Sequence, residues 1–415
     1  MSETGIGTDG VVIVGGGQGG FQLAASLRDN GFDGRLTLVG EEPGLPYQRP
    51  PLSKAYLKGE ADAGQLELRP AAFYADHRID LVHDRVHGID PATRRIAFAD
   101  GHSLPYGHLV LATGARNRPL PVEGAGLDGV LYLRTLAEAA ELKQRLAGAE
   151  RVVVIGAGFI GLEFAAVARA LGHEVTVIEA LARPMARAIS PAMSAFFARE
   201  HAAMGTRLAL GAGVVRLHGE DGRVRAVETL NGAVHPADLV VVGIGVVPNA
   251  ELAHEAGLVV SNGIRVDDHL ATMDPAISAI GDVVAYPSVH AGREVRLESV
   301  QNAVDHARSL AARLTGRPAP YTAVPWFWSD QSDLKLQMVG LAGPDDTEVL
   351  RGDPMSRRFS VFRFRDGRLT AIESVNRPAD HMLGRRLLAD PAKPPALTPE
   401  QAGDEGFDLK SLLAR

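Results

Sequence analysis

Two glycine-rich stretches are the parts of this 415-residue chain whose residue types and spacing most clearly suggest chemistry. The sequence reads VVIVGGGQGG at residues 11–20 and VVVIGAGFIG at residues 152–161. Each stretch is an apolar strand followed by Gly-x-Gly-x-x-Gly and a helix-like run, the pattern in which helix N-terminal amides bind the pyrophosphate of a dinucleotide. The motif glycines are Gly15, Gly17 and Gly20 in the first stretch, and Gly156, Gly158 and Gly161 in the second.

An acidic residue follows each motif at the distance typical of ribose recognition. The segments RLTLVGEE and EVTVIEA place Glu41 and Glu179 about 20 residues beyond their motifs, where a carboxylate accepts hydrogen bonds from an adenosine ribose. Such a carboxylate also repels a 2′-phosphate. The residue after Glu179 is Ala180 and not an arginine that could bind that phosphate, and both features favour NAD over NADP. Arg183 and Arg187 lie a turn or two further along and keep NADP open. Two dinucleotide sites in one chain suggest a flavin and a nicotinamide that exchange a hydride.

Composition excludes several other kinds of chemistry. The chain has no cysteine, so disulfides, thiolate catalysis and Cys-ligated metal centres are excluded. The net charge of −7 argues against nucleic acid as the main partner. The fourteen histidines show no metal-ligand spacing, so we expect no metal site. No apolar run is long enough to span a membrane and the segment MSETGIGTDG has no export signal, so we expect a cytoplasmic protein.

Several further segments indicate the elements that must position these sites. YGHLVLATGAR (residues 106–116) and DLVVVGIGVVPN (residues 238–249) are predicted strands that close the first and second dinucleotide modules. AISAIGDVVAY (residues 276–286) is predicted as an apolar strand ending in Gly281-Asp282. An amphipathic helix is predicted from about Val300 to Leu314.

The pattern changes beyond about residue 320. RRFSVFRFRDGRLTAIESV is alternating β sequence around an Asp366-Gly367 hairpin turn, which predicts a separate antiparallel α+β domain. The tail ADPAKPPALTPEQAGDEG is rich in proline, glycine and alanine and predicts a surface loop.

With these segments placed, the chain resembles the putidaredoxin reductase-like family of FAD-dependent, NADH-oxidising ferredoxin reductases. The resemblance covers nearly the whole chain and rests on both glycine motifs and on RPPLSKAYL, LVLATGAR, YLRTL, GFIGLEFAA, GIGVVPN, AIGDV, RLESVQNA and PWFWSDQ. It implies an α/β, glutathione-reductase-like fold with two Rossmann-type dinucleotide-binding domains and a C-terminal α+β domain. The implied FAD-binding domain is discontinuous (residues 1–115 and 245–320), the NAD-binding domain covers residues 116–244, and the C-terminal domain covers residues 321–415.

The resemblance also implies contacts with FAD and with NADH. Gly19 should lie beside the FAD pyrophosphate, Asp282 on the ribityl chain, and Val300 at the start of a helix that faces the pyrimidine edge of the flavin. A helix N-terminus stabilises the anion that forms there on reduction. The remaining implied cofactor contacts are Glu41, Val86, Thr113, Gly114 and Arg134 for FAD, and Glu179 and Gly245 for the nicotinamide module.

Two residues are implied to be catalytic. Lys54, in RPPLSK, should lie near flavin N5 and pair with Glu163, which follows Gly161 by two residues and should lie beside the nicotinamide. Trp328, in WFWSDQ, should cover the flavin. No general acid or base is needed, because the alignment of the two rings supplies the rate of hydride transfer.

The implied electron acceptor is a [2Fe–2S] ferredoxin that feeds a haem monooxygenase. Ferredoxins are usually acidic, and this chain is itself acidic, so attraction between the two whole molecules cannot bring them together. Docking therefore needs a local basic patch, for which the predicted residues are Arg69, Arg308 and Lys335. A rubredoxin or the ferredoxin of a ring-hydroxylating dioxygenase is an alternative acceptor, and an NADH-binding flavoprotein resembling apoptosis-inducing factor is an alternative class. A dithiol reductase of the same fold is excluded by the lack of cysteine.

Overall fold

The computed structural model describes residues 9–413; most of the N-terminal segment MSETGIGTDG discussed above lies outside the described residues. Within them, the α-helices are α1 (Gln18–Asp29), α2 (Ala55–Lys58), α3 (Ala71–Asp76), α4 (Leu136–Leu146), α5 (Phe159–Ala170), α6 (Pro191–Ala203), α7 (Glu251–Glu255), α8 (Val300–Leu314), α9 (Pro378–Leu387) and α10 (Pro399–Gly403).

The strands over the same described residues are β1 (Val11–Val14), β2 (Leu36–Gly40), β3 (Asp80–His83), β4 (Val86–Asp90), β5 (Arg95–Phe98), β6 (Ser103–Pro105), β7 (His108–Leu111), β8 (Ala115–Asn117), β9 (Val130–Tyr132), β10 (Arg151–Ile155), β11 (Glu174–Glu179), β12 (Arg207–Leu210), β13 (Val214–Glu220), β14 (Arg223–Thr229), β15 (Val234–Pro236), β16 (Leu239–Val242), β17 (Val246–Pro248), β18 (Val260–Ser261), β19 (Gly263–Arg265), β20 (Ile277–Ala279), β21 (Val284–Ser288), β22 (Arg293–Val295), β23 (Trp326–Gln331), β24 (Leu334–Gly340), β25 (Thr347–Asp353), β26 (Arg358–Arg365) and β27 (Arg368–Val375).

The chain forms two compact units, each made from three separate segments. The first comprises the described residues up to Gln48, then Leu66–Arg116 and Val247–Phe327. The second comprises Arg49–Gln65, Asn117–Val246 and the described residues from Trp328 onward. The segment Arg49–Gln65 belongs to the second unit, whereas the sequence analysis included these residues in the first domain. The three-domain division given above remains a prediction.

The first unit is built on a parallel sheet of order β20-β7-β1-β2-β3. Strand β1 is buried along its whole length, as expected for a central parallel strand that is covered on both faces. Helices α1 and α8 pack together closely: a Cβ added to Gly19 would lie 3.6 Å from the Cβ of Ala303. Two smaller sheets, β4-β5-β6 and β18-β19-β21-β22, complete this unit.

The second unit contains the parallel sheet β12-β11-β10-β16-β9 and the antiparallel sheet β23-β24-β27-β26-β25. Side-chain caps define its helix starts. Thr135 and Glu138 form a capping box at α4, and the Ser190 hydroxyl accepts from the Met193 N–H at α6, where Pro191 occupies the first helical position.

Helix α8 begins at Val300 and ends at Leu314, as predicted, with the Ser299 hydroxyl capping it. The strand predicted over residues 276–286 is instead two strands, β20 and β21, separated by a 3₁₀ turn at Gly281–Val283. The break occurs because Gly281 has a φ of +80°, in the left-handed region that ends a strand.

The predicted hairpin at Asp366-Gly367 is present, and both residues have positive φ, at 51° and 74°, as a type I′ turn requires. The expected alternation of buried and exposed residues is wrong, because six consecutive residues of β26 are buried. One face packs on α6, where the Phe359 and Phe196 rings lie 4.9 Å apart. The other face meets α9, where the Ser360 hydroxyl donates to Asp380.

The C-terminal tail is not all loop. Thr398 and Gln401 form a capping box that starts α10, and Leu397 and Ala402 are buried. No helix among residues 9–413 is long and apolar enough to cross a lipid bilayer.

Candidate functional site

The first glycine motif forms a tight turn between β1 and α1. Gly15 has a φ of +120°, and an added Cβ would lie 2.2 Å from the carbonyl oxygen of Ala112. A Cβ on Gly20 would lie 2.0 Å from the Gly15 carbonyl oxygen, so the helix approaches the turn as closely as backbone permits. Gly17 is different: a Cβ there would meet no atom within 4 Å, and α1 has no side-chain cap. The open space faces uncapped amides, which fits a pyrophosphate.

The second motif repeats this geometry between β10 and α5. Gly156 has a φ of +105° and packs against the Gly243 carbonyl, and Gly161 packs against the Gly156 carbonyl. The nearest atom to a Cβ on Gly158 is the Gly243 oxygen at 3.9 Å, and α5 also lacks a side-chain cap. Both loops therefore have room for phosphate above the middle glycine.

The two predicted ribose carboxylates lie at the ends of second strands. Glu41 directly follows β2, is exposed, and has Arg85 Nε 3.7 Å from its Oε2. Glu179 is the last residue of β11 and is held by the backbone: its Oε2 accepts from the Ala157 N–H at 2.7 Å and its Oε1 from the Leu181 N–H at 2.9 Å. The Glu179 carboxylate is thus fixed beside the second glycine loop.

Arg183, one of the two arginines that left NADP as an alternative, is hydrogen-bonded within the protein. Its guanidinium donates to the carbonyl of Ile189 at 2.9 Å, to the Ser194 hydroxyl at 2.9 Å and to the Ala186 carbonyl at 2.8 Å. These bonds hold the loop that leads into α6. Arg187 is exposed.

In the first unit, Asp282 lies in the 3₁₀ turn between β20 and β21, which packs on α8: a Cβ added to the preceding Gly281 would lie 3.6 Å from the Cβ of Ala303. The turn is fixed on both sides: the Gly281 N–H donates to His306 Nδ1 at 3.2 Å, and Arg296 donates to the Asp282 carbonyl at 3.1 Å. His306 is fully buried on α8, and burial lowers its pKa to about 3. Val300 begins α8 and is partly exposed.

Thr113 and Gly114 follow β7, and Val86 begins β4 as a buried residue. The Thr113 hydroxyl donates to the Asn249 carbonyl at 2.7 Å, and Asn249 Nδ2 donates to the Thr113 carbonyl at 2.9 Å. Asn249 was not singled out in the sequence analysis, although it ends the segment that resembles the Thr113 strand.

In the second unit, Lys54 and Glu163 form the expected ion pair, with Lys54 Nζ 2.6 Å from Glu163 Oε2. Glu163 is buried on the first turn of α5, with 5% of its surface exposed. Ser53 also donates to Oε2 at 2.6 Å, and Ser329 donates to Oε1 at 2.7 Å. Both carboxylate oxygens are therefore occupied by hydrogen-bond donors, as a buried charge requires.

Three other predicted cofactor residues lie in the second unit. The Arg134 carbonyl accepts from Arg49 at 2.8 Å, and the Arg134 N–H donates to Glu138 at 2.8 Å. Gly245 has a φ of +102° and open space around it. Trp328 is in β23 and is partly exposed. The flavin contacts expected of Arg134 and Trp328 remain predictions.

The three predicted docking residues are exposed. In the first unit, Arg69 lies over the Phe73 ring at 5.7 Å, and Arg308 on α8 has Asp305 3.9 Å away. Lys335 is in β24 of the second unit.

Two exposed clusters combine carboxylate and imidazole groups closely enough to ligate a cation, which histidine spacing alone did not indicate: Asp84, Asp100 and His102, and Asp267, Asp268 and His269. Both clusters lie on the surface of the first unit.

Comparison with known proteins places this geometry in a family. The model for pyridine nucleotide-disulphide oxidoreductases matches residues 9–307, and the model for a reductase C-terminal domain matches residues 326–413. The chain belongs to the pyridine nucleotide-disulphide oxidoreductases. It is an oxidoreductase that uses FAD and NAD(P)H.

Similarity to individual family members extends over almost the whole chain. It is 55% identical over 406 residues to rhodocoxin reductase of Rhodococcus erythropolis, covering 98% of this chain and 94% of that one. The ferredoxin reductase for the CYP199A2 system from Rhodopseudomonas palustris superposes with a TM-score of 0.95 at 52% identity, covering 97% of this chain and 99% of the other. The covalent putidaredoxin reductase–putidaredoxin complex gives a TM-score of 0.94 at 41% identity, with 98% of each chain covered. The resemblance and the fold class inferred from the sequence are confirmed.

Sequence reasoning missed the residues that surround Glu163. Ser53 adjoins the recognised Lys54, so its proximity to the site was available from the motif RPPLSK. Ser329 and Gln331 lie in WFWSDQ, where attention fell on the tryptophan. His201 is a lone histidine on α6 and carries no sequence signal.

Proposed function

We propose that this chain is an NADH-dependent ferredoxin reductase whose [2Fe–2S] ferredoxin feeds a haem monooxygenase. Bound FAD would supply the redox chemistry that takes two electrons from NADH and passes them one at a time to the ferredoxin. The observation that carries the proposal is the pair of open glycine loops, each with its own carboxylate, in a chain similar over its full length to ferredoxin reductases. We place the reaction in the cytoplasm, where NADH is available.

The preference for NADH is supported by charge at the second loop. The Glu179 carboxylate is fixed at the loop by two backbone N–H groups and would repel a 2′-phosphate. The nearby Arg183 guanidinium is occupied by two carbonyls and a hydroxyl, so it is not available to neutralise that phosphate. Both features favour NADH over NADPH.

FAD would be held by the first unit. Gly15, Gly17, Gly19 and Gly20 would surround the pyrophosphate, Glu41 the adenosine ribose, and Asp282 the ribityl chain. Thr113 and Gly114 follow the carboxyl end of β7 in the same sheet, where parallel-sheet proteins bind their ligands. Val86, Val300, Arg134 and Trp328 are proposed as further contacts.

The Lys54–Glu163 pair is proposed to serve hydride transfer by fixing a cation and a carboxylate at the reacting rings. The Lys54 ammonium donates to Glu163, to the Pro50 carbonyl at 3.1 Å and to the Ser53 hydroxyl at 3.3 Å, so all its three protons have acceptors. Such a group orients its surroundings rather than exchanging protons. Alignment of donor and acceptor then sets the rate.

The ferredoxin is proposed to dock through basic surface residues, namely Arg69 and Arg308 of the first unit and Lys335 of the second. Electrostatic steering acts over about one Debye length, ~8–10 Å, so a patch can attract an acidic partner although the whole chain carries −7. A rubredoxin, or the ferredoxin of a ring-hydroxylating dioxygenase, differs from this proposal in the partner alone.

The test is the reduction of purified [2Fe–2S] ferredoxin by NADH in the presence of the flavin-loaded protein. We expect catalytic turnover with NADH, and released cofactor that is FAD at one per chain. Binding of NADH without transfer to any ferredoxin would instead favour the flavoprotein class that resembles apoptosis-inducing factor. Release of FMN would contradict the assignment of the first loop.

A further inference from the structure

A continuous line of buried hydrogen bonds leads away from Glu163 within the second unit. Ser329 donates to Glu163 Oε1 at 2.7 Å, and Gln331 Nε2 donates to the Ser329 hydroxyl oxygen at 3.3 Å. His201 Nε2 lies 2.8 Å from Gln331 Oε1. Ser329, Gln331 and His201 are fully buried. The line therefore connects α5, β23 and α6 without exposure to solvent.

The direction of each bond in this line is determined. A serine hydroxyl has one proton, and the Ser329 oxygen already accepts from Gln331, so its proton goes to the carboxylate. The second amide proton of Gln331 points to Met185 Sδ at 3.7 Å. Because an amide oxygen can only accept, the His201 ring must donate to Gln331 Oε1.

The His201 ring is suited to that role. Burial lowers the pKa of His201, so the ring is neutral and carries one N–H. Its Nδ1 has no hydrogen-bond partner within residues 9–413. Placing the N–H on Nε2 satisfies Gln331 and leaves at Nδ1 an unfilled acceptor rather than an unpaired donor.

The strand β23 explains why these residues act together. Side chains alternate along a strand, so Ser329 and Gln331 share one face while Trp328 lies on the other. The face that meets Glu163 is thus formed by the C-terminal sheet, in which β23 is hydrogen-bonded beside β24.

We infer that Ser329 is a positioning residue for Glu163, with its hydroxyl oriented by Gln331 and His201. The Ser329 hydroxyl fixes Oε1 of Glu163, so that Oε2 remains paired with the Lys54 ammonium. The inference rests on the proposed function in one respect, namely that the Lys54–Glu163 pair serves hydride transfer. The geometry itself can be tested without turnover.

The first test measures the reactivity of the Lys54 amine. Flavin-loaded protein without NADH is treated briefly with an amine-acetylating reagent, and the rate of acetylation at Lys54 is measured by mass spectrometry. In Ser329→Ala the carboxylate loses one of its restraints, and we expect Lys54 to be acetylated about threefold to tenfold faster, since a freed buried carboxylate rotates away from its partner. Ser329→Thr, which keeps the hydroxyl, should restore the slow rate.

The matched control is Ser360→Ala. Ser360 is also a fully buried serine of the C-terminal sheet; its hydroxyl donates to Asp380 at 2.8 Å and lies 3.0 Å from the Ser374 hydroxyl, and it makes no bond to Glu163. The substitution Ser360→Ala removes a buried hydroxyl from the same sheet, and we expect Lys54 to be acetylated at the unmutated rate. Gln331→Met is an independent test, because it removes the group that orients Ser329 but keeps the hydroxyl; we expect a smaller increase, about twofold to threefold.

The second test measures reduction of the bound flavin by NADH in rapid mixing. We expect Ser329→Ala to lower the limiting rate about tenfold, less than the ~100-fold that a 1 Å misplacement can cost, with little change in the NADH concentration for half-maximal rate. Acetylation of Lys54 at the unmutated rate in both Ser329→Ala and Gln331→Met would overturn the inference. Failure of NADH to reduce the unmutated protein would instead overturn the proposed function, while faster acetylation in Ser329→Ala would still support the positioning role.

Discussion

The Glu373 carboxylate on β27 anchors the first turn of α6 through Ser190, a residue 183 positions earlier in the chain. The Ser190 N–H lies 3.0 Å from both carboxylate oxygens, and its hydroxyl donates to Oε2 at 2.6 Å. Arg363 Nη1 lies 3.3 Å from Oε1, and the carboxylate is 2% exposed. A single buried acid therefore joins the C-terminal sheet to the helix that carries His201.

The stability contributed by Glu373 should depend on pH. Burial raises the pKa of Glu373 above its usual 4.5, although Ser190 and Arg363 act in the opposite direction. The folded state then keeps this proton to higher pH than the unfolded state, so stability is lost as pH rises from 4.5 through the raised value. We expect the difference in unfolding free energy between unmutated protein and Glu373→Gln to decrease over that window and then to level off. Urea denaturation at several pH values measures it.

Glu348→Gln is the matched control for this experiment. Glu348 also accepts a hydrogen bond at the start of α6, from the Ala192 N–H at 3.2 Å, but it is only partly buried. Its substitution measures how much of the difference comes from losing a carboxylate that is hydrogen-bonded to the start of α6. A difference that is the same from pH 4 to pH 8 for Glu373→Gln would contradict the prediction.

Buried neutral histidines should make the first unit sensitive to acid. Burial lowers the pKa of His306 from 6.5 to about 3, so the folded state excludes a proton that the unfolded state binds. The contribution of neutral His306 to the free energy of unfolding is then fully present above pH 6.5, and it falls toward lower pH by about 1.4 kcal/mol per pH unit. His306→Asn, whose side-chain oxygen can still accept from Gly281, should remove that share of the slope. His87→Asn, at an exposed histidine, is the matched control.

Glu179 should decide between NADH and NADPH. Replacing it by alanine removes the charge expected to repel a 2′-phosphate and the hydrogen bonds proposed to ribose hydroxyls, each of which would be worth roughly 1.5–3 kcal/mol, or about 10- to 150-fold. We expect kcat/KM for NADH to fall and the penalty on NADPH to be relieved. Glu174→Ala, at the exposed opposite end of β11, serves as the control. Equal kcat/KM values for the two nucleotides in the unmutated protein would refute this assignment.

Arg308→Glu should slow reduction of the ferredoxin. Reversing one rim charge changes mainly the association rate, by about fivefold to tenfold at low salt, and the effect should shrink as salt is added. Reduction of ferricyanide by NADH should be nearly unchanged, because a small acceptor needs no docking surface. Arg317→Glu, at an exposed residue just beyond the other end of α8, is the control. Normal ferredoxin reduction by Arg308→Glu at low salt would remove Arg308 from the interface.

Arg351 should hold the C-terminal segment in place. Its buried guanidinium donates to the carbonyls of four residues that follow or end α10: Ala402, Asp404, Glu405 and Phe407. Arg351→Met leaves these carbonyls without their donor, which we expect to cost about 2–4 kcal/mol. Hydrogen exchange over residues 399–407 should accelerate, whereas Arg368→Met, at an exposed arginine of β27, should have no such effect. Unchanged exchange in Arg351→Met would contradict this role.

The glycine loops and the helix from Val300 were predictable because their signals are local. Gly15 and Gly156 need positive φ, and apolar spacing fixed α8 within a turn. Burial on both faces of β26 was not predictable, since the covering helices α6 and α9 lie far away in sequence. The line from Glu163 to His201 was invisible for the same reason: single polar residues in an aromatic strand and on a helix acquire meaning when the fold brings them together.

The spread of the Glu163 site along the chain also sets the order in which the protein can be completed during synthesis. Lys54 leaves the ribosome 109 residues before Glu163, and Glu163 leaves it 166 residues before Ser329. At typical rates of 5–20 residues per second, the last interval lasts on the order of 10–30 s. During that time the parallel sheet beside α5 receives its last strand, β16, but one oxygen of the buried Glu163 carboxylate still lacks its donor. The pair proposed to serve hydride transfer is therefore finished late, by a sheet made almost last.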